Sequence, residues 1–214
     1  MQQINKMSIL AIILLMITAA STYGQGLEEL ATIVPSKEFP EEYIKVTHER
    51  AYDFVSEMEL SDEKIKRVTE IVAQQYRDLS AIQDTRDAQI KMVKKEFENK
   101  ETVNQLIREV KIKAQRQENA LHKQFLAKLT AEISADQVNE IKNGMTYNVV
   151  EVTYDAFLKQ LPDLTQKQKT KIKAWLIEAR EYAMDAGSSE QKHEIFGEYK
   201  GRINNYLSAE GYEL

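Results

Sequence analysis

The chain has 214 residues, no cysteine, and 34 acidic against 29 basic residues, for a formal net charge of −5. That balance argues against general nucleic-acid binding, which needs a basic stripe. Without cysteine there are no disulfides, so stability has to come from packing.

Met1 to Lys6 carries one positive charge, Met7 to Ala20 is almost unbroken apolar sequence, and Thr22-Tyr23-Gly24 sets small residues just before Gln25. This pattern predicts a signal peptide over 1–24 and a periplasmic or secreted product. An uncleaved anchor is the competing reading, but the apolar run falls short of the ~20 residues that span a bilayer. No cysteine follows for lipid attachment, so a soluble product with no membrane contact after cleavage is expected. Residues 25–39, with Pro35-Ser36 and no sustained period, read as a linker.

From Glu41 to Asn143 there is neither Gly nor Pro, and good helix formers fill the stretch with apolar residues at spacings of three and four. The expected fold class is all-α: one helical domain over 40–214, with a long antiparallel hairpin arm, 61–133, and further helices packed at its base. Behind Pro40 a first helix shows the face Ile44, Thr47, Ala51, Phe54, Val55 and Met58. Ser61 caps the second helix, whose stripe runs Ile65, Val68, Val72, Tyr76, Leu79, Ile82, Ile90, Val93, Phe97. After Glu98-Asn99-Lys100 it resumes as Val103, Leu106, Val110, Ala114, Leu121, Phe125, Leu129, Ile133. If the chain reverses near Asn99, residue i lies beside about residue 199 minus i, and the apolar positions match. A single coiled-coil rod is the alternative, but it lacks a strict heptad.

Stepping by four from Ile82 reaches Arg86, beside Asp87, so Arg86, Asp87, Gln83 and Gln117 form a candidate polar layer. Such a layer is either a structural ion pair that fixes register or, because Arg presents a planar fork, a clamp for an anion. Ala88 to Lys128 is locally basic, ten Lys or Arg against five acids, and reads as a solvated face near the hairpin tip.

Ser134 with Gln137 and Thr165 with Gln168 are capping boxes that open two further helices. Gly144 is expected to end the first of these. The second carries Ile172, Trp175, Ala179, Tyr182, Ala183 and Ala186 up to Gly187, and Ser188 or Ser189 caps a last helix with the face Phe196, Tyr199, Ile203 and Leu207. Gly197 and Gly201 are read as a site of close helix approach. Tyr147 to Tyr154 is β-branched and aromatic, which predicts an extended crossover or short strand within 145–162, with Tyr147 and Tyr154 as candidate pocket walls.

His48, His122 and His193 form no pair at metal-binding spacing, and there is no Gly-rich phosphate loop, Gly-x-Ser-x-Gly elbow or cysteine nucleophile. No metal and no organic cofactor are expected. A carboxylate pair for glycan processing cannot be picked from 34 acids. The densest polar segment is Lys200, Arg202, Asn204, Asn205 and Tyr206, a mixture suited to hydrogen bonding a sugar or carboxylate with Trp175 as stacking surface, or else a solvated helix face.

Gln75-Tyr76-Arg77-Asp78-Leu79 with Arg86-Asp87, Gly144-Met145-Thr146-Tyr147, Ala183-Met184-Asp185-Ala186-Gly187-Ser188-Ser189 and Tyr199-Lys200-Gly201-Arg202-Ile203-Asn204-Asn205-Tyr206-Leu207 resemble an exported family of Gram-negative bacteria. That family is known only as a domain of unknown function, number thirty-eight twenty-six. The resemblance covers Tyr43 to Leu214, supplies no catalytic residues, and implies a setting among genes for polysaccharide breakdown. Leu164-Thr165-Gln166-Lys167-Gln168 also resembles a motif of Spy- and CpxP-type periplasmic chaperones, although any helix may use such a capping box. The leading expectation is a periplasmic or secreted accessory protein that binds an oligosaccharide or other small anionic ligand. A client-binding helical chaperone and a carboxylate-based glycan-processing enzyme are the alternatives.

Overall fold

The computed structural model describes residues 38–213, so the signal-peptide expectation and nearly all of the linker lie outside the described residues. The described chain is all-α. In order the helices are α1 (Glu41–Val55), α2 (Asp62–Glu96), α3 (Lys100–Glu132), α4 (Ala135–Met145), α5 (Val149–Gln160), α6 (Gln166–Ala183) and α7 (Ser189–Ala209). The chain falls into two compact units, Ser80–Lys123 and Phe39–Leu79 with Gln124–Leu214.

The caps follow the sequence closely. Ser134 Oγ accepts from Gln137 N at 3.3 Å while Gln137 Oε1 accepts from Ser134 N at 3.0 Å. Thr165 and Gln168 repeat the exchange at 3.3 and 2.9 Å, and Ser188 is the cap of α7, taking Gln191 N at 3.1 Å. Each arrangement satisfies backbone donors that a helix start leaves open. Between α2 and α3, Asn99 Oδ1 accepts from Thr102 N at 3.0 Å.

Within the smaller unit Ala81, Ile82, Val93, Ala114 and Leu121 are buried, and Arg86 reaches Glu118 between them. The larger unit holds two buried clusters. Ala51 and Val55 of α1, Val68 and Val72 of α2, Phe125 and Leu129 of α3, and Ile141 and Met145 of α4 form one. Val150 and Phe157 of α5, Ile172 and Leu176 of α6, and Phe196, Ile203 and Leu207 of α7 form the other. Arg67 Nε donates to Glu132 Oε2 at 2.9 Å, which sets the first turns of α2 beside the last turns of α3.

Several details differ from the sequence reading. The segment expected to be extended is α5. Its β-branched composition favours strand only weakly, whereas Val150, Phe157 and Leu161 recur at helical intervals and all are buried. Ile44 is exposed, so the buried face of α1 is Thr47, Ala51 and Val55. On α6 the buried stripe is Ile172, Leu176, Ala179 and Ala183, while Tyr182 faces solvent. Gly197 and Gly201 have nothing within 4 Å of where a Cβ would stand, so no neighbour approaches them.

Gly144 does not terminate α4, which continues to Met145. A Cβ there would lie 2.5 Å from Phe54 Cδ2, so the missing side chain lets α1 close on α4. Ala is intrinsically better than Gly in a helix by ~1 kcal/mol, yet overpacking typically costs about 1–3 kcal/mol. Gly144→Ala should therefore lower the unfolding free energy in the natural background and raise it when Phe54 is also Ala, as read by urea denaturation. A stabilising Gly144→Ala with Phe54 intact would refute the close approach.

Candidate functional site

The end of α4 sets up the least ordinary local structure in the larger unit. Thr146, fully buried, turns its hydroxyl back to donate to Lys142 O at 2.8 Å. The next two residues, Tyr147 and Asn148, both take left-handed backbone, φ 56° and 54°, before α5 begins. Asn148 N closes the turn on Asn143 O at 2.8 Å. Asn tolerates this conformation, but a tyrosine held there costs roughly 1–2 kcal/mol, because its Cβ crowds the following carbonyl. The Tyr147 ring is not compensated by deep burial, since the residue is 52% exposed.

Beneath that ring comes Lys192 from α7. It is 6% exposed, donates from Nζ to Met145 O at 2.7 Å, and lies 5.6 Å from the Tyr76 ring centroid and 5.8 Å from that of Tyr147. Arg50 of α1 stands over the Tyr76 ring at 5.7 Å, and the His193 ring is 6.0 Å from Tyr147. Gln75 Nε2 meets Asp185 Oδ1 at 3.5 Å on the same side. Burial, then the Arg50 cation, push the Lys192 ammonium down to about 8, with Asp185 pulling the other way. Burial also pushes the Tyr76 phenol up, against the pull of Arg50. The arrangement can receive an anionic group at two cations and a flat ring face at Tyr147.

The residues singled out from the sequence are distributed over four places. Trp175, Arg202 and Tyr206 do come together: Trp175 and Tyr206 stack edge-on at 5.5 Å, and Arg202 Cζ sits 4.5 Å from the Trp175 centroid. Lys171 Nζ lies 4.0 Å from the Tyr206 centroid and 4.9 Å from that of Trp175, so these rings already carry the chain's own cations. Arg202 also pairs with Glu178 at 3.6 Å. Lys200, Asn204 and Asn205 are exposed on α7. Tyr147 does not share a cleft with this cluster. It belongs with Lys192, ten residues or ~15 Å back along α7 from Arg202. Tyr154 lies apart from both, under Lys173 Nζ at 4.8 Å, with Lys173 itself paired to Glu151.

Arg86 and Asp87 pair at 2.8 Å in the smaller unit, but the return-helix partner is Glu118, not Gln117. Gln117 and Glu118 flank the line from Ala114 to Leu121 equally, and it is Glu118 that lies on the side of Arg86. Gln83 also donates to Glu118 Oε1 at 3.4 Å. The Asp87 side chain is 66% exposed, and Glu118, 13% exposed, takes Gln83 as well as Arg86, so no buried carboxylate depends on Arg86 alone.

Sequence reasoning missed three buried cations. Lys192 and Arg180 each sit on an apolar stripe one helical turn from a core residue, which was the available signal. Arg180 donates to Asn143 Oδ1 at 2.8 Å and Asn139 Oδ1 at 2.9 Å and pairs with Glu181 at 3.0 Å; Lys142 joins Glu181 at 2.6 Å. Burial alone would raise the Glu181 carboxyl, but the bonds from Lys142 and Arg180 outweigh it and lower it. Arg77 is likewise buried, donating to Thr47 Oγ1 at 3.2 Å and pairing with Glu70.

The family model of the protein of unknown function DUF3826 matches residues 44–214. The chain belongs to this family. A search of curated proteins finds no match. Among the described residues no helix is long and apolar enough to cross a membrane, and no group of three or more His, Cys, Asp or Glu is placed to hold a metal ion.

Two expectations separate these cations. Arg180→Ala, which strips a buried network, should cost about 3 kcal/mol, and Arg86→Ala about 1 kcal/mol, because water reaches Asp87 and Glu118 keeps Gln83 as donor. Equal losses in denaturant titrations would refute the difference in burial. For Lys192, the unfolded chain keeps its proton to 10.5 while the folded chain releases it at about 8. The unfolded state thus binds more protons in that window, and stability should rise by about 2 kcal/mol from pH 8 to 10. The raised Tyr76 phenol works in the opposite sense only above pH 10. Lys192→Met should flatten the rise; a profile that is flat in the natural protein too would mean the amine is solvated.

Proposed function

We propose that this DUF3826 protein is an exported accessory protein of polysaccharide use that binds an acidic sugar at Tyr147, Lys192 and Arg50. The observation that carries the reading is the Tyr147 ring, half exposed and held in left-handed backbone over a buried ammonium. Backbone strain of this kind persists where the surrounding structure enforces it, and it clusters at ligand sites. A sugar's C–H face stacks on the phenol ring, and its carboxylate meets the Arg50 guanidinium and the two ammonium hydrogens that Lys192 does not give to Met145 O. The export expected from the sequence and the gene setting implied by the family resemblance fit this reading.

The test is a thermal-shift and calorimetric comparison of short galacturonate and glucuronate oligosaccharides with their neutral counterparts. Acidic sugars should raise the melting temperature by mass action, and their affinity should fall as pH passes 8 and Lys192 loses its charge. Tyr147→Asn places the non-glycine residue best suited to left-handed backbone at that position. It should leave stability equal or higher while abolishing the ligand response. A full response in Tyr147→Asn, or equal response to neutral sugars, would sink the proposal.

A further inference from the structure

The outward side of α3 in the smaller unit carries a second arrangement, independent of the Tyr147 site. Gln105, Arg108, Ile112, Arg116, Asn119 and Lys123 are all exposed, and at 100° per residue they fall within about 40° of one line along the helix. Ala114 and Leu121, on the opposite side, are buried. Arg108, Arg116 and Lys123 are spread over ~22 Å. None has an ion-pair partner among the described residues. Of the nearby acids, Glu118 is turned inward to Gln83 and Arg86, and Glu109, bonded to Gln105 at 3.1 Å, borders the strip as a single negative charge against its three cations. A protein of net charge −5 thus presents one linear cationic strip.

We propose that this strip binds an extended anionic polysaccharide. The side chains decide among the polyanions. An anionic bilayer would be met by several apolar residues among the cations, and the strip has Ile112 alone. A single-stranded nucleic acid would be met by aromatic rings for its bases, and the strip has none. Instead, amides alternate with cations: Asn119 Oδ1 accepts from Gln115 Nε2 at 3.1 Å and keeps its own amide hydrogens for hydroxyl or ring oxygens. Carboxylates repeating along a sugar chain match cations repeating along a helix, and hydroxyls between them match the amides. Ile112 offers contact to the apolar edge of a pyranose ring.

The experiment measures binding of the purified protein to polygalacturonate over a range of salt concentrations. Affinity should fall steeply with salt through counterion release. Arg108→Glu with Arg116→Glu should weaken binding at least tenfold and reduce the slope of log affinity against log salt by about two, at unchanged helicity and melting temperature. Replacing both by Lys should retain the slope. A short digalacturonate, too small to span the strip, should bind the Glu variant as it binds the natural protein, so failure here and failure of the Tyr147 site are separable. Unchanged polymer affinity in the double Glu variant overturns the proposal. So does tighter binding to phosphatidylglycerol vesicles, or to single-stranded DNA, than to the polyuronate.

Discussion

One contact governs the larger unit: the Lys192 ammonium against the last carbonyl of α4, Met145 O, at 2.7 Å. Met145 belongs to the cluster built from α1 to α4, and Val150, just past the left-handed turn, belongs to the cluster built from α5 to α7. The chain crosses from one to the other within five residues, so α4 has to stop abruptly. Carbonyls at a helix end carry partial negative charge and need donors. Lys192 supplies one from α7, while Thr146 and Asn148 supply others from within the turn. Gly144 contributes from the other side by letting Phe54 press against the same turn of helix.

Much of the fold was legible because it is locally determined. Capping boxes need only residues three apart, and a long stretch without Gly or Pro leaves helix with little competition. The error at α5 has the opposite origin. Val149, Val152 and Thr153 suggest strand by composition, but strand preference reports a fit to neighbouring strands, and none is present among the described residues. Packing against Ile172 and Phe196 favours instead the helical spacing of Val150, Phe157 and Leu161. Gly144 was misread for a related reason: glycine marks either a terminus or a close approach, and only the position of Phe54 distinguishes them.

The candidate site was half legible. Tyr147 stands out in sequence as an aromatic outside the strongest helical patterns, but its partners come from α1, α2 and α7, and no local pattern joins Arg50, Tyr76 and Lys192. The C-terminal cluster shows the converse. Its polar residues are conspicuous in sequence because they are adjacent, and adjacency on a helix scatters side chains around the axis rather than converging them. Trp175 with Arg202 and Tyr206 is a true spatial group, yet Lys171 and Glu178 complete it from within the chain.

The buried cations sort by what satisfies them. Arg180 meets two amides and a carboxylate, and Arg77 a hydroxyl, an amide and a carboxylate, so each is closed by its own neighbours. Such groups fix one arrangement of helices and need no ligand. Lys192 differs in kind: its direct bond goes to a neutral carbonyl, and burial and the Arg50 cation disfavour its charge more than the two ring faces and Asp185 favour it. A leucine or methionine there would bury as much apolar surface without the desolvation penalty. The penalty falls next to a tyrosine whose backbone is itself strained. Two unfavourable features at adjoining positions are hard to reconcile with packing alone, since either could be removed by a single substitution. They are consistent with a site whose incoming partner adds negative charge beside Lys192 and Arg50 and covers the exposed ring.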